Sequence, residues 1–290
     1  MKVAAILLSV ALFAGSQVLA QEEHPAKGLL LKVDQAHGSL VISCDTIPGF
    51  MDAMEMPFAV HDSKALAALE PGMTVRFTMV ERANVLYAEN IHAGTAANFE
   101  PEPVQAGELS ALHRAMDPST VARIVTVGQQ VPDFALTDQA QARIRLSQLE
   151  GKVVALTFGY SRCPNPNYCL RLSNNLSTVE RRFHDRAGRD LVLVTIMIDP
   201  DHDQGATLAQ YAGVFKAKTE DWHFLTGPLP EIKQVAGMFG MNFWSDEGLL
   251  THTLHTVVID RQGRLASNIE GNQFSAQQLG DLVQTVMDRP

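Results

Sequence analysis

Two cysteines bracket the stretch Cys163-Pro-Asn-Pro-Asn-Tyr-Cys169, directly after the apolar run Lys152-Val-Val-Ala-Leu-Thr-Phe158. Thiols paired at a strand–helix junction serve either thiol–disulfide chemistry or the capture of a soft metal ion. The plain alternatives are a structural disulfide or two unrelated thiols. On one continuous helix, residues six apart would be separated by about 9 Å of rise and point about 120° apart. That exceeds the roughly 7 Å between Cα atoms that a disulfide can bridge. Pro164 and Pro166 favour another layout, with Cys163 in a loop folded back towards Cys169 at the start of a helix. A second concentration of sulfur lies upstream, in Phe50-Met-Asp-Ala-Met-Glu-Met-Pro57. On a strand Met54 and Met56 share a face, and Met51 is within reach from the preceding loop. Thioether sulfur selects Cu(I) or Ag(I) over zinc and hard cations. Methionine clusters more often fill cores, but Asp52 and Glu55 interrupt this one. The third cysteine, Cys44, is either a further soft ligand or a small buried hydrophobe.

These groups must be positioned by a chain of 290 residues, enough for about two domains. Hydrophobic content of 46% supports real cores, and a net charge of −9 argues against nucleic acid held on a basic surface. Residues 1–20 read as an export signal: Met1-Lys2, the apolar run Val3 to Ala14, and a cleavage site after Val18-Leu19-Ala20. The expected location is periplasmic, where disulfides persist. Membrane contact is then expected only through a partner or an uncleaved signal. Residues 27–93 alternate short strand-like runs with turns: Gly28 to Val33, Ser39 to Ser43, Phe58 to Val60, Thr74 to Val80 and Val85 to His92. Five short strands predict a small all-β, OB-like barrel. Residues 94–127, with Glu100-Pro-Glu-Pro103, read as a linker. Residues 128–290 change to alternating strands (Val153–Phe158, Leu191–Ile198, Leu254–Asp260, Arg264–Glu270) and helices (Cys169–Ala187, Gln204–Lys216, Glu231–Phe239, Ser275–Met287), an α/β domain around a central sheet.

The order of segments in this second domain is specific. Val131-Pro-Asp-Phe and Ile144-Arg-Leu-Ser-Gln-Leu-Glu-Gly151 precede the cysteine pair. Asp199-Pro-Asp-His-Asp203 and Thr251-His-Thr-Leu-His255 follow it. Over about residues 126–290 this resembles the Sco/SenC family. The resemblance implies a thioredoxin-like fold and copper held by Cys163, Cys169 and His252. It also implies delivery of copper to an acceptor protein, with cytochrome c oxidase the family's acceptor, or exchange with a thiol–disulfide partner in which Cys163 and Cys169 form the redox pair. His252 matches the family's histidine, standing eight residues before Asp260. If the strand begins by Thr253, His255 faces the other side of the sheet. The commonest family spacing places three residues between the cysteines, whereas five stand here. Asp199 and Asp203 match an acidic family segment, or cap the helix expected from Gln204.

Residues 27–93 resemble the CusF-like family of small copper-binding barrels. Cys44, in Ile42-Ser-Cys-Asp45, occupies the place where related sequences carry histidine. Cys44, Met51, Met54 and Met56 would then form an all-sulfur Cu(I) site. The expectation is a copper-handling metallochaperone rather than an enzyme. The alternative is a thiol–disulfide oxidoreductase or peroxidase-like enzyme using Cys163 and Cys169, since Pro132-Asp-Phe and Leu-Ser-Gln-Leu-Glu-Gly also occur in peroxiredoxin-like proteins. Against it stand a missing Pro-x-x-x-Thr-x-x-Cys motif and the presence of His252. A purely structural chain with a stapled loop leaves the methionines unexplained.

Overall fold

A computed structural model of the chain describes residues 23–94, 124–246 and 248–289. The expected export signal and most of the expected linker fall outside these. The first unit comprises β1 (Glu23–Asp34), β2 (Ser39–Cys44), β3 (Met54–Ala59), a 3-10 turn (Ser63–Ala68), β4 (Thr74–Arg82) and β5 (Val85–Gly94), closed into a barrel in the order β1-β2-β3-β5-β4. Alternation writes the barrel: Leu40, Ile42 and Cys44 of β2 point inward with Val75, Phe77 and Met79 of β4. β3 starts at Met54, four residues before the strand expected from Phe58. Pro57 and the exposed Glu55 hide it in the sequence, because neither favours a strand interior.

The second unit comprises β6 (Ala135–Thr137), β7 (Arg143–Arg145), β8 (Val153–Gly159), α1 (Arg171–Arg182), β9 (Leu191–Met197), α2 (Gly205–Val214), β10 (Trp222–Leu225), α3 (Leu229–Met238), β11 (Phe243–Asp246), β12 (Leu249–His252), β13 (His255–Ile259), β14 (Leu265–Glu270) and α4 (Ala276–Met287). Its five-stranded sheet has the order β10-β9-β8-β13-β14, with β8, β9 and β10 parallel and β13 and β14 antiparallel. Every residue of β8 and β9 is buried, as in central strands covered on both faces. Val153 and Ala155 feed a core under α1, α2 and α4, while Val154, Leu156 and Phe158 feed one under α3.

The two units share buried surface. Leu29, Leu30 and Leu31 of β1 are all at most 1% exposed, although successive strand residues face opposite sides. Leu30 belongs to the barrel core, whereas Leu29 and Leu31 pack in one cluster with Leu279, Leu282, Val283 and Val286 of α4. Burial of a leucine side chain contributes about 1.5–3 kcal/mol. Gly72, at φ +94°, turns the barrel against β14 so closely that a Cβ would sit 2.0 Å from the Ser267 hydroxyl. Polar contacts close the seam. The Ser43 hydroxyl donates to Asp281 (2.7 Å), and the Gln278 amide donates to the Ser43 carbonyl (3.0 Å) and the Asp45 carboxylate (2.8 Å).

Candidate metal centre

The central strand β8 delivers the chain to the site and stops at Gly159, where the backbone leaves the sheet. Tyr160 to Asn165 form a loop carrying Cys163, and Pro166–Leu170 form one wide helical turn that presents Cys169 and opens α1. The loop thus folds back onto the helix start, as the two prolines led one to expect. An Asx turn fixes it: the Asn165 side chain accepts from the Asn167 N–H at 3.0 Å. From the far side, the buried Asn272 amide donates to the Asn167 carbonyl at 2.6 Å. Gly159 lets the strand end pass close to the helix start, since a Cβ there would crowd the Cys169 Cβ at 3.3 Å.

His252 arrives from a different element than expected. It ends β12, the second strand of the β11–β12 hairpin, where it pairs with Phe243. The strand parity that sets His252 against His255 therefore does not apply, because β13 begins only at His255. His255 faces away and pairs its Nδ1 with the Asn268 side chain at 2.9 Å. His252 points its Nε2 at Cys169 Sγ, 3.3 Å away, and its Nδ1 lies 2.9 Å from the Thr253 carbonyl. A carbonyl only accepts, so that contact puts the proton on Nδ1 and leaves the Nε2 lone pair facing the sulfurs. The ligand atoms of Cys163, Cys169 and His252 all lie within 4.8 Å of one another. Tyr160 closes one wall, its ring edge-on to His252 at 5.9 Å and its hydroxyl donating to the Leu250 carbonyl at 3.0 Å. Burial, with the neighbouring sulfurs, pushes the Tyr160 phenol up to about 12, so it remains a neutral donor.

The two thiols are unequal. A hydrogen bond from Cys169 holds Cys163 well below the usual thiol range against the opposing effect of burial. The same contact and its deeper burial push Cys169 the other way. One proton is thus kept on Cys169 while Cys163 carries the charge. In the reduced, metal-free protein, alkylation of Cys163 by iodoacetamide should remain fast at mildly acidic pH, where an ordinary thiol with a pKa near about 8.5 is protonated. Cys169 should react slowly throughout. Peptide mapping across a pH series checks this, and equal rates with an ordinary thiol profile at both cysteines would refute it.

The acidic segment secures the cysteine loop instead of capping a helix. Gln204 is the N-cap residue of α2 and makes no side-chain cap bond. Asp203, fully buried, accepts from the Ser161 N–H at 3.0 Å and from the Ser161 hydroxyl. Asp199 accepts from the Arg162 guanidinium at 2.8 Å and pairs with His202 at 2.9 Å. Burial raises Asp203 despite the Ser161 bonds. At Asp199 burial is outweighed by the bonds from His202 and Arg162, which hold the carboxyl below its usual range. Residues 161 and 162, directly before Cys163, are thereby tied to the loop after β9. Sequence reasoning missed Gly159, Tyr160, Ser161 and Asn272, whose signals are single residues in contact only through the fold.

In the barrel, Cys44 ends β2 directly opposite Met54, and Ile42 stands opposite Met56, so Cys44, Met54 and Met56 share one face. Cys44 is 1% exposed with its Sγ 3.8 Å from the Ile42 carbonyl, and burial pushes its thiol up to about 12. Met54 is 47% exposed at the rim. Met51 sits in the intervening loop, bridged to Ile47, and packs with Met56 against the barrel core.

Residues 126–288 match the SCO1/SenC family model, more than half of the chain. The chain belongs to the SCO1/SenC family. Residues 23–93 match the model of the copper binding periplasmic protein CusF. Among curated relatives, this SCO1/SenC chain is 27% identical over 138 residues to an SCO2-like protein of Rickettsia typhi, covering 45% of the chain and 65% of the relative. It is 28% identical over 116 residues to the mitochondrial SCO1 homolog 1 of Arabidopsis thaliana, covering 39% and 33%. The chain thus spans less than two thirds of these relatives. A putative electron transfer protein of Aquifex aeolicus superposes with a TM-score of 0.50 at 18% identity, over 56% of this chain and 94% of that one, and shares the fold. Copper-bound ScoI of Arabidopsis thaliana gives a TM-score of 0.49 at 23% identity, over 56% and 100%. The SCO1/SenC unit is thioredoxin-like and mixed α/β, and the preceding unit is a five-stranded barrel.

Proposed function

We propose that this protein is an exported copper carrier that holds copper at Cys163, Cys169 and His252 and passes it to an acceptor protein, cytochrome c oxidase being the acceptor that membership in the family favours. A second Cu(I) site on the barrel uses Cys44, Met51, Met54 and Met56. Copper is cargo here. The observation that carries the reading is the convergence of two sulfurs and one Nε2 within 4.8 Å, with the imidazole tautomer preset by Thr253. Two thiolates and an imidazole are a soft donor set suited to Cu(I), and hard cations gain little from it. The match of residues 23–93 to the copper binding protein CusF supports copper over other soft ions. Export to the periplasm is supported by the CusF match, and no helix among the described residues is long and apolar enough to cross a membrane. The barrel and the α/β unit are proposed to correspond to residues 27–93 and 128–290.

The polarised thiol pair also favours a second reading, a thiol–disulfide oxidoreductase. In that reaction Cys163 thiolate attacks a partner's disulfide, Cys169 resolves the mixed disulfide, and the partner leaves as a dithiol. Copper titration of the reduced chain, read by X-ray absorption, separates the two. The carrier reading expects one copper with two sulfurs and one nitrogen that vanish in Cys163→Ser/Cys169→Ser, plus a second site rich in sulfur. No copper uptake by the reduced chain, with reductant-dependent turnover of a disulfide substrate, would sink it in favour of the oxidoreductase.

A further inference from the structure

The geometry points to His24 and Met79 as additional donors of the barrel's soft-metal site, giving it an imidazole from β1 in place of the histidine that Cys44 replaces on β2. This rests on the reading of the barrel as a metal-binding module. β1 overruns β2: Gly28 stands opposite Cys44, where β2 ends, and Glu23 to Lys27 pair with β4. The space beside that overhang is filled by the loop 45–53, anchored by the Asp45 N–H donating to the Lys27 carbonyl at 2.8 Å. Phe50 of this loop stacks on the His24 ring, with centroids 3.8 Å apart and planes 23° apart.

The register fixes where His24 points. Its partner on β4 is Met79, as Phe77 is the partner of Ala26 and Val75 that of Gly28. Ala26, Val75, Phe77 and Met79 all belong to the barrel core. Residues directly opposite each other share a face, with Cβ atoms about 4.5–5.5 Å apart. His24 therefore lies on the inner face next to the Met79 side chain. The start of β1, the end of β2, the start of β3 and the end of β4 are the same end of the barrel, since β2 runs antiparallel to β1 and β3, and β4 antiparallel to β1. His24, Met51, Met54, Met56 and Met79 are thus gathered at one mouth. Cys44 lies deeper, with its sulfur turned to the Ile42 carbonyl.

The chemistry follows from the donor types. Thioethers are neutral and individually weak. An imidazole nitrogen adds a stronger donor while keeping the site selective for Cu(I) and Ag(I). Phe50, half exposed, holds the imidazole plane and screens the mouth from water.

The test uses the full chain carrying Cys163→Ser and Cys169→Ser, titrated with Ag(I), a diamagnetic stand-in for Cu(I), and followed by NMR of imidazole nitrogens and methionine methyls. His24 signals are assigned by their loss in a His24→Gln variant. One equivalent of Ag(I) should shift the His24 imidazole and the Met79 methyl together with Met54, and His24→Gln should weaken binding about 10-fold. If Met51, Met54 and Met56 shift while His24 and Met79 stay still, the added donors are wrong and the metal-binding barrel stands. If no Ag(I) binds, both fail. If His24→Gln does not fold, the His24 signals are assigned instead by their through-space contact with the stacked Phe50 ring, and the shifts of the unsubstituted barrel decide the matter.

Discussion

Changing Cys169 to serine should lower the Cu(I) affinity of the α/β-unit site at least about 100-fold, more than the 10- to 100-fold typical of losing an outer-shell group. Cys169 is 1% exposed, 3.3 Å from His252 Nε2, and seated where a Cβ on Gly159 would touch it. A hydroxyl of similar size fills the space but is a hard, poorly ionised donor, so the fold should survive while the soft donor is gone. Cys163→Ser should cost as much, because Cys163 supplies the charge at neutral pH. His252→Ala should cost less, since both sulfurs remain. Competition against a chromophoric Cu(I) chelator under anaerobic, reducing conditions measures all three, with circular dichroism as the folding control. A well-folded Cys169→Ser protein that keeps its affinity would overturn the assignment. Oxidation by an added disulfide reagent offers a control within the native chain: joining the Cys163 thiolate and the Cys169 thiol as a disulfide releases one proton, passes two electrons to the reagent and consumes both sulfur donors, so the oxidised protein should behave like the serine variant.

The cysteine loop was legible because covalent stiffness acts locally. Two prolines disfavour a continuous helix from Cys163 to Cys169 and favour the folded-back loop with Cys169 at the helix start. The buried strands β8 and β9 were equally plain, as unbroken apolar runs flanked by glycine or aspartate. What orients the site was not legible. His252 reaches the sulfurs from the short hairpin β11–β12, whose strands of four residues carry no alternation to announce them and are held by the Tyr160–Leu250 bond and by packing. From the sequence Asp199 and Asp203 match an acidic family segment or cap a helix, capping being the local use of such residues. Burial against Ser161 and Arg162 overrode that preference, and no periodicity encodes a contact across some forty residues of chain. In the barrel the shared strand face of Met54 and Met56 was legible but Pro57 masked where that strand begins, while the register that puts His24 beside Met79 depends on closure of the barrel itself.

Replacing Asp281 with alanine should destabilise the whole chain by about 2–3 kcal/mol, the cost of stranding a buried hydroxyl and unpairing a partly buried cation. Asp281 lies on α4 at the seam and accepts from the Ser43 hydroxyl on one side and from Arg182 on the other, both at 2.7 Å. Ser43 is fully buried, so its hydroxyl would have no water to turn to, whereas Arg182 is 39% exposed and would be partly rehydrated. Most of the loss should therefore come from the seam. Asp281→Asn keeps an oxygen for the buried Ser43 hydroxyl and turns its amide nitrogen towards Arg182, which loses its acceptor but is exposed enough to rehydrate, so it should cost less. Chemical denaturation followed by fluorescence checks the order, and equal effects of the two substitutions would refute it. The consequence reaches both metal loops. One turn from the seam, Gln277 donates to the Ala53 carbonyl next to Met54 at 3.1 Å, and just before α4 Asn272 holds Asn167 between the two cysteines. The segment 272–281 thus reaches three places: the thiol loop through Asn272, the residue before the methionine strand through Gln277, and the barrel wall through Gln278 and Asp281. Loosening the last should free the barrel to unfold ahead of the α/β unit, turning one cooperative transition into two, while Asn272, bonded within its own unit, keeps the Cys163–Cys169 loop in place.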